Sequence, residues 1–234
     1  MRSLTITNLS KSYGKTSVLR NVSLTYSAGL IHGLVGDNGA GKTTLLSCIA
    51  GYERFDGSVE RAGVKSIGYL HAEPYMFPRI TGREFIRFCL HAKKVAASPA
   101  EISALNKLFE LPLEKYAAHY STGMLKKLHI MSLILQQNDL LLLDEPFNGL
   151  DISSSSCITE ILKQLRQNGS VIIVSSHALH HLAGFCDTIS FVHGGAVDFF
   201  PSRENFGALI KSIELQAQRK IEHYFHSGEP LSKK

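Results

Sequence analysis

Gly36-Asp37-Asn38-Gly39-Ala40-Gly41-Lys42-Thr43 satisfies every fixed position of G-x-x-x-x-G-K-[ST]. It follows the apolar run Leu30 to Val35 and opens the helical run Thr44 to Ala50. The setting matters as much as the pattern, because the loop does its work between a strand and a helix. Glycines let the backbone wind tightly with successive N–H groups turned inward, and the helix N-terminus adds partial positive charge. Residues Gly36 to Thr44 are therefore expected to cradle the phosphates of a nucleotide. Lys42 is expected to reach the β- and γ-phosphates. Thr43 would offer a hydroxyl to Mg²⁺, a cation that prefers oxygen ligands.

A second stretch completes the chemistry. Leu140-Leu141-Leu142-Leu143-Asp144-Glu145 reads as a short buried strand ending in adjacent carboxylates. Beside a phosphate cradle, Asp144 is expected to hold the Mg²⁺ through water. Glu145 is expected to polarise the water that attacks the γ-phosphate, the division of labour that phosphoryl transfer requires.

Runs rich in β-branched and apolar residues predict strands at Leu4–Thr7, Val22–Tyr26, Leu30–Val35, Ser66–Leu70, Leu140–Leu143, Val171–Ser175 and Thr188–Val192. Helical patterns fall at Gly41–Ala50, Glu84–His91, Pro99–Leu108, Thr122–Gln136 and Ser155–Gln167, and the alternation predicts an α/β fold. Ser153 to Ser156 reads as a loop or a helix start. The stretch from about 74 to 136 lacks a convincing strand and reads as a helical insertion, dividing an ATP-binding core of residues 1–73 and 137–205. Residues 206–234 form an expected amphipathic C-terminal helix and frayed tail. Its stripe of Phe206, Leu209, Ile210, Ile213 and Ala217, then Ile221, Tyr224 and Phe225, is expected to pack on its own domain rather than on a partner.

Past Glu145 the chain continues Pro146-Phe147-Asn148-Gly149-Leu150-Asp151 and later Val174-Ser175-Ser176-His177. This order of motifs, over about residues 1 to 200, closely resembles the ABC ATPase family. The resemblance implies a RecA-like P-loop NTPase core with an antiparallel β subdomain and an inserted helical subdomain. It implies ATP and Mg²⁺ as ligands. Asn148 to Asp151 would be the D-loop that meets an opposite subunit, His177 the switch histidine at the γ-phosphate, and Tyr13 the ring that stacks on adenine. The family signature, usually Leu-Ser-Gly-Gly-Gln, stands here as Tyr120-Ser121-Thr122-Gly123-Met124. Ser121 and Gly123 remain, to present a hydroxyl and an N–H to the γ-phosphate of a facing copy. Thr122 puts a branched side chain where glycine is usual.

The family's Q-loop glutamine is replaced by Ala72 in Ile67-Gly68-Tyr69-Leu70-His71-Ala72-Glu73-Pro74. His71, Glu73 or an additional water would then complete the metal's surroundings. Tyr75-Met76-Phe77-Pro78 suits either a seat for a helix of a membrane partner or local core filling.

With a single P-loop and a single signature, the chain is expected to pair with itself or with a similar ATPase subunit around ATP. It would drive a separate transmembrane permease, as a peripheral protein on the cytoplasmic face of the membrane. The densest apolar stretch, Ile130 to Leu143, is interrupted by polar residues, and Met1 to Thr5 show no export signal. Cargo contacts would belong to the permease, and the chain resembles export systems more than import systems. The net charge of +5 reads as solubility, and no nucleic acid partner is expected. Arg83, Arg87, Lys93 and Lys94 form a solvated face or meet lipid headgroups. Cys48, Cys89, Cys157 and Cys186 contain no C-x-x-C pair and read as reduced thiols, and His180 and His181 as ordinary histidines. Rival readings are a non-transport ABC ATPase and an ATP-binding regulator with impaired hydrolysis. Against the first, the chain has neither duplicated ATPase units nor a long coiled coil.

Overall fold

The structure, a computed structural model, describes residues 2–227. The chain opens with two long strands, β1 (Ser3–Tyr13) and β2 (Thr16–Ser27), joined by a tight turn in which Gly14 takes a φ of 58°. Leu4, Ile6 and Leu9 of β1 point inward and are at most 1% exposed. Then come β3 (Ile31–Val35), α1 (Lys42–Ala50), β4 (Asp56–Ala62) and β5 (Ile67–Leu70). Helices α2 (Gly82–Ala92), α3 (Pro99–Phe109) and α4 (Thr122–Leu135) follow in succession. The chain returns to the core with β6 (Leu140–Asp144), α5 (Ile152–Gln167), β7 (Val171–Ser176), α6 (Leu179–Ala183), β8 (Thr188–His193), β9 (Ala196–Phe200) and α7 (Phe206–Ser227).

These strands form two sheets. One is antiparallel, in the order β2-β1-β4; the other has six strands in the order β5-β6-β7-β3-β8-β9, all parallel except β9, which runs antiparallel to β8. Every residue of β3, β6 and β7 is buried. Both sheet faces are covered, which is why these strands read as unbroken apolar runs. Leu141, Leu143, Ile172 and Val174 join the core on the insertion side, and Leu140, Leu142, Val171 and Ile173 join the one under the antiparallel sheet. The chain is an α/β protein of the P-loop kind, with the antiparallel sheet as a second layer.

Strands β4 and β9 and the short α6 were absent from the sequence expectations. In β4 only Val59 is even half-buried, so it has no apolar alternation to read. A signal for β9 did exist: Gly194-Gly195, with φ of 51° and 82°, is a two-residue hairpin connection between His193 and Ala196. The serine run is the first turn of α5.

Helices α2 and α3 each start with a capping box, Thr81 with Glu84 and Ser98 with Glu101. Both pack on α4. On the inner side of α4, His129 lies 4.6 Å from the Phe85 ring, and its buried Nε2 has no partner among the described residues. Burial brings its imidazole down to about 4, the backbone of Tyr75 working in the opposite direction. Met76 packs into the core, whereas Tyr75 and Phe77 are exposed, with Phe77 edge-on to both Tyr75 and Phe88. Arg83 pairs with Glu114 and Lys93 donates to the carbonyl of Ile67.

The front of α7 packs on the domain through Phe206 and Leu209, 4% and 3% exposed. Farther along, Leu215 and Ile221 are exposed, so the apolar stripe is buried over its first half and not over its whole length. Of the expected frayed tail, 227–234, Ser227 ends α7, and residues 228–234, like the side chains of Ala217 and Tyr224, lie outside the described residues. Among the described residues no helix is long and apolar enough to cross a membrane.

Candidate active site

Strand β3 delivers the chain into the glycine loop, and β8 shapes it from beside. A Cβ on Gly36 would stand 2.5 Å from the carbonyl oxygen of Val192, so only glycine fits there. Gly39 and Gly41 take φ of 79° and 110°. Gly41 is the N-cap of α1 and offers no side-chain cap, leaving the first N–H groups of the helix free to meet an anion. Lys42, 6% exposed, donates from Nζ to the carbonyl oxygens of Gly36 at 2.7 Å and Asp37 at 3.2 Å. The resulting cavity, about 340 Å³, is lined by the loop residues Asn38, Gly39, Gly41, Lys42, Thr43 and Thr44 together with Val18, Ala72 and Glu145.

The two carboxylates reach this cavity because β6 runs parallel to β7 and ends level with it. Register places Asp144 beside Ser175. Asp144 is fully buried and accepts hydrogen bonds from Thr43 Oγ1 at 2.7 Å and from Ser175 Oγ. Thr43 and Asp144 are separated by a hundred residues of chain, yet they form one set of hard oxygen donors, which fits Mg²⁺. Glu145 turns the chain with a φ of 47°. Its N–H donates to Ser175 Oγ at 3.0 Å, and its carbonyl accepts from Lys126 Nζ at 2.6 Å. Its Oε1 lies 3.2 Å from His177 Nδ1 and 3.6 Å from Lys42 Nζ. Its Oε2 is buried without a hydrogen-bond partner among the described residues, as expected of a carboxylate awaiting a donor.

Ser175 and Lys126 escaped sequence reading. A hydroxyl near the end of an apolar strand was the available signal for Ser175. Lys126 gave none, because a lysine on a helix reads as surface.

Tyr13 ends β1, is 47% exposed and lies under the ammonium of Lys11, 4.6 Å from its ring centroid. It does not line the cavity, although Val18 from the same hairpin does. Where the family has its glutamine, the residue lining the cavity is Ala72. His71 instead stacks on Tyr52 at 5.7 Å and lies tilted against Tyr69 at 4.1 Å between centroids. His71 is thus engaged elsewhere, and Glu73 is not among the residues lining the cavity.

A second group forms around the start of α4. Ser121 is its N-cap, with Oγ accepting from the N–H of Met124 at 3.3 Å. A Cβ on Gly123 would stand 2.5 Å from the carbonyl oxygen of Gly149, so the two loops touch backbone to backbone. Asp151 caps α5, accepting from the N–H of Ser154 at 2.7 Å and from its hydroxyl at 2.9 Å; these bonds hold its carboxyl below the usual carboxylate range. Lys127 Nζ lies 3.6 Å away. Ser121, Gly123 and Asp151 are thus brought together, but not around the cavity of their own chain. His181 packs edge-on against Phe147 at 4.5 Å.

Residues 19–148 match a family profile described as ABC transporter. The ABC transporter ATP-binding protein NatA of Bacillus subtilis is 30% identical, over 96% of this chain and 97% of its own length. The lantibiotic transport ATP-binding protein SrtF of Streptococcus pyogenes is 30% identical over 93% of this chain and 100% of its own. The bacitracin transport ATP-binding protein BcrA of Enterococcus faecalis is 32% identical over 80% of this chain and 65% of its own. A solved structure of an ATP binding subunit of an ABC transporter superposes with a TM-score of 0.79 at 28% identity, covering 87% of this chain and 93% of that one.

Proposed function

The chain belongs to the ABC transporter family as an ATP-binding subunit, and we propose that it hydrolyses ATP between two copies to drive a separate permease. The observation that carries this reading is the Glu145 carboxylate, which lines the glycine-loop cavity with Lys42 and His177 both close to its Oε1.

In this reading Lys42 and the free N–H groups of α1 hold the β- and γ-phosphates, and Tyr13 stacks on adenine. Thr43 and Asp144 hold Mg²⁺, which when bound neutralises charge that develops on the phosphates. Glu145 accepts the proton of the attacking water, and His177 contacts the γ-phosphate and orients that carboxylate. Ser121, Gly123 and Asp151 act on the nucleotide of a facing copy, the same chain or a similar one, which accords with their position away from their own cavity. Loss of the γ-phosphate releases those contacts and lets the helical insertions part. The insertion, residues 74–136, receives the permease on the exposed rings of Tyr75, Phe77 and Phe88, and so places the protein at the cytoplasmic face of the membrane.

The test is phosphate release by the purified chain with Mg·ATP. Glu145→Gln is expected to lower turnover about 10²–10⁴-fold, to keep nucleotide binding, and to accumulate an ATP-bound dimer in size-exclusion chromatography. Undiminished phosphate release would remove Glu145 from its role.

A further inference from the structure

Lys126 is 2% exposed and reaches from α4 to the residue that follows β6. A buried ammonium survives only where hydrogen bonds replace water. Burial lowers its pKa, while Glu145, Asp144 and Glu73 act in the opposite direction. The contact it makes is specific: Nζ donates to the main-chain carbonyl of Glu145 at 2.6 Å. That carbonyl belongs to a residue other than glycine in the left-handed region, φ 47°, a conformation that persists only when its surroundings hold it. On its other side the N–H of Glu145 donates to Ser175 Oγ, which donates in turn to Asp144 Oδ1. Side chains from α4 and β7 therefore grip the backbone of one residue from both sides. The same helix begins at Ser121, five residues before the lysine.

We propose that Lys126 is a positioning residue for hydrolysis: by holding the Glu145 carbonyl it fixes the turn that aims the carboxylate at the cavity, and it ties that aim to the placement of α4. The inference rests on Glu145 having the role proposed above. Any displacement of α4 against β6 then changes the aim of the carboxylate without touching the glycine loop. Nucleotide binding and turnover become separable.

The experiment is steady-state phosphate release by the full chain at varied Mg·ATP, together with nucleotide Kd and thermal midpoint. Lys126→Met keeps the length and removes the donor. Its kcat is expected to fall about tenfold to a hundredfold, the cost of a misplaced reacting group, with KM and Kd within about twofold. Lys126→Arg is expected to recover most of the rate. In a Glu145→Gln background Lys126→Met should lower the residual rate no further, since both act through one carboxylate. Wild-type turnover in Lys126→Met, with turnover lost in Glu145→Gln, overturns the proposal and leaves the role of Glu145 standing. Normal turnover in Glu145→Gln removes that role instead. If Lys126→Met does not fold, Lys126→Gln replaces it. A lower kcat at unchanged affinity supports the proposal there, and parallel loss of rate, affinity and thermal midpoint overturns it.

Discussion

Helices α1 and α4 both begin at loops of small residues, and they are finished in opposite ways. Helix α1 starts at Gly41, has no side-chain cap, and sends Lys42 and Thr43 toward carboxylates at the end of β6. Helix α4 starts at Ser121, whose hydroxyl already accepts from the helix's third residue, and of its first turn only Ser121 and Thr122 are exposed. The sequence between them supplies a hydroxyl at one start and withholds it at the other. A bare helix start beside a buried lysine is a finished anion site within one chain. A self-capped start has no unmet demand of its own, which accords with the role toward a facing copy proposed above.

Three measurements sharpen or break that contrast. The largest effect is expected from Lys42→Ala, which removes the buried charge at the bare start. Nucleotide affinity should fall about a hundredfold, in keeping with a charge-assisted hydrogen bond. Calorimetry giving an unchanged Kd would mean that the cradle does not depend on this charge.

Next is acid. The folded pKa of His129, about 4, lies below its ordinary 6.5. A depressed imidazole contributes stability above about pH 6.5 and loses it as pH falls toward 4, because the unfolded chain takes up the proton first. By pH 5 the loss should be about 2 kcal/mol. It should be absent from His129→Leu, and visible by hydrogen exchange in α4 before β3. Equal acid sensitivity in both proteins would mean that other groups govern the insertion.

The smallest effect is expected from Ser121→Ala, about 1 kcal/mol of stability for a lost cap. Nucleotide affinity of the monomer should not change, while the ATP-bound dimer seen with Glu145→Gln should weaken. A loss of monomer affinity would place Ser121 at its own cradle.

The same contrast governs what could be read from residues alone. Strands β3, β6 and β7 were legible because burial on both faces leaves an uninterrupted apolar run. Strand β4, Asp56–Ala62, was not, since both of its faces are largely exposed and only Val59 turns partly inward. In the site, Lys42, Thr43, Asp144 and Glu145 stood out because their spacing is local and chemically demanding. Ser175 and Lys126 did not, because each acts by holding the main chain of a residue 30 or 19 positions away. No periodicity records a bond of that kind. The exposed second half of α7 has another cause: hydropathy foretells an apolar stripe but not how far the body of the protein extends beneath it.

The contact of Gly123 with the Gly149 carbonyl leaves no room for a single methyl group. The start of α4 and the turn before α5 therefore cannot shift independently of one another at this point. In the proposed dimer they would meet a facing copy as one surface, and a side chain added at Gly123 would disturb both at once.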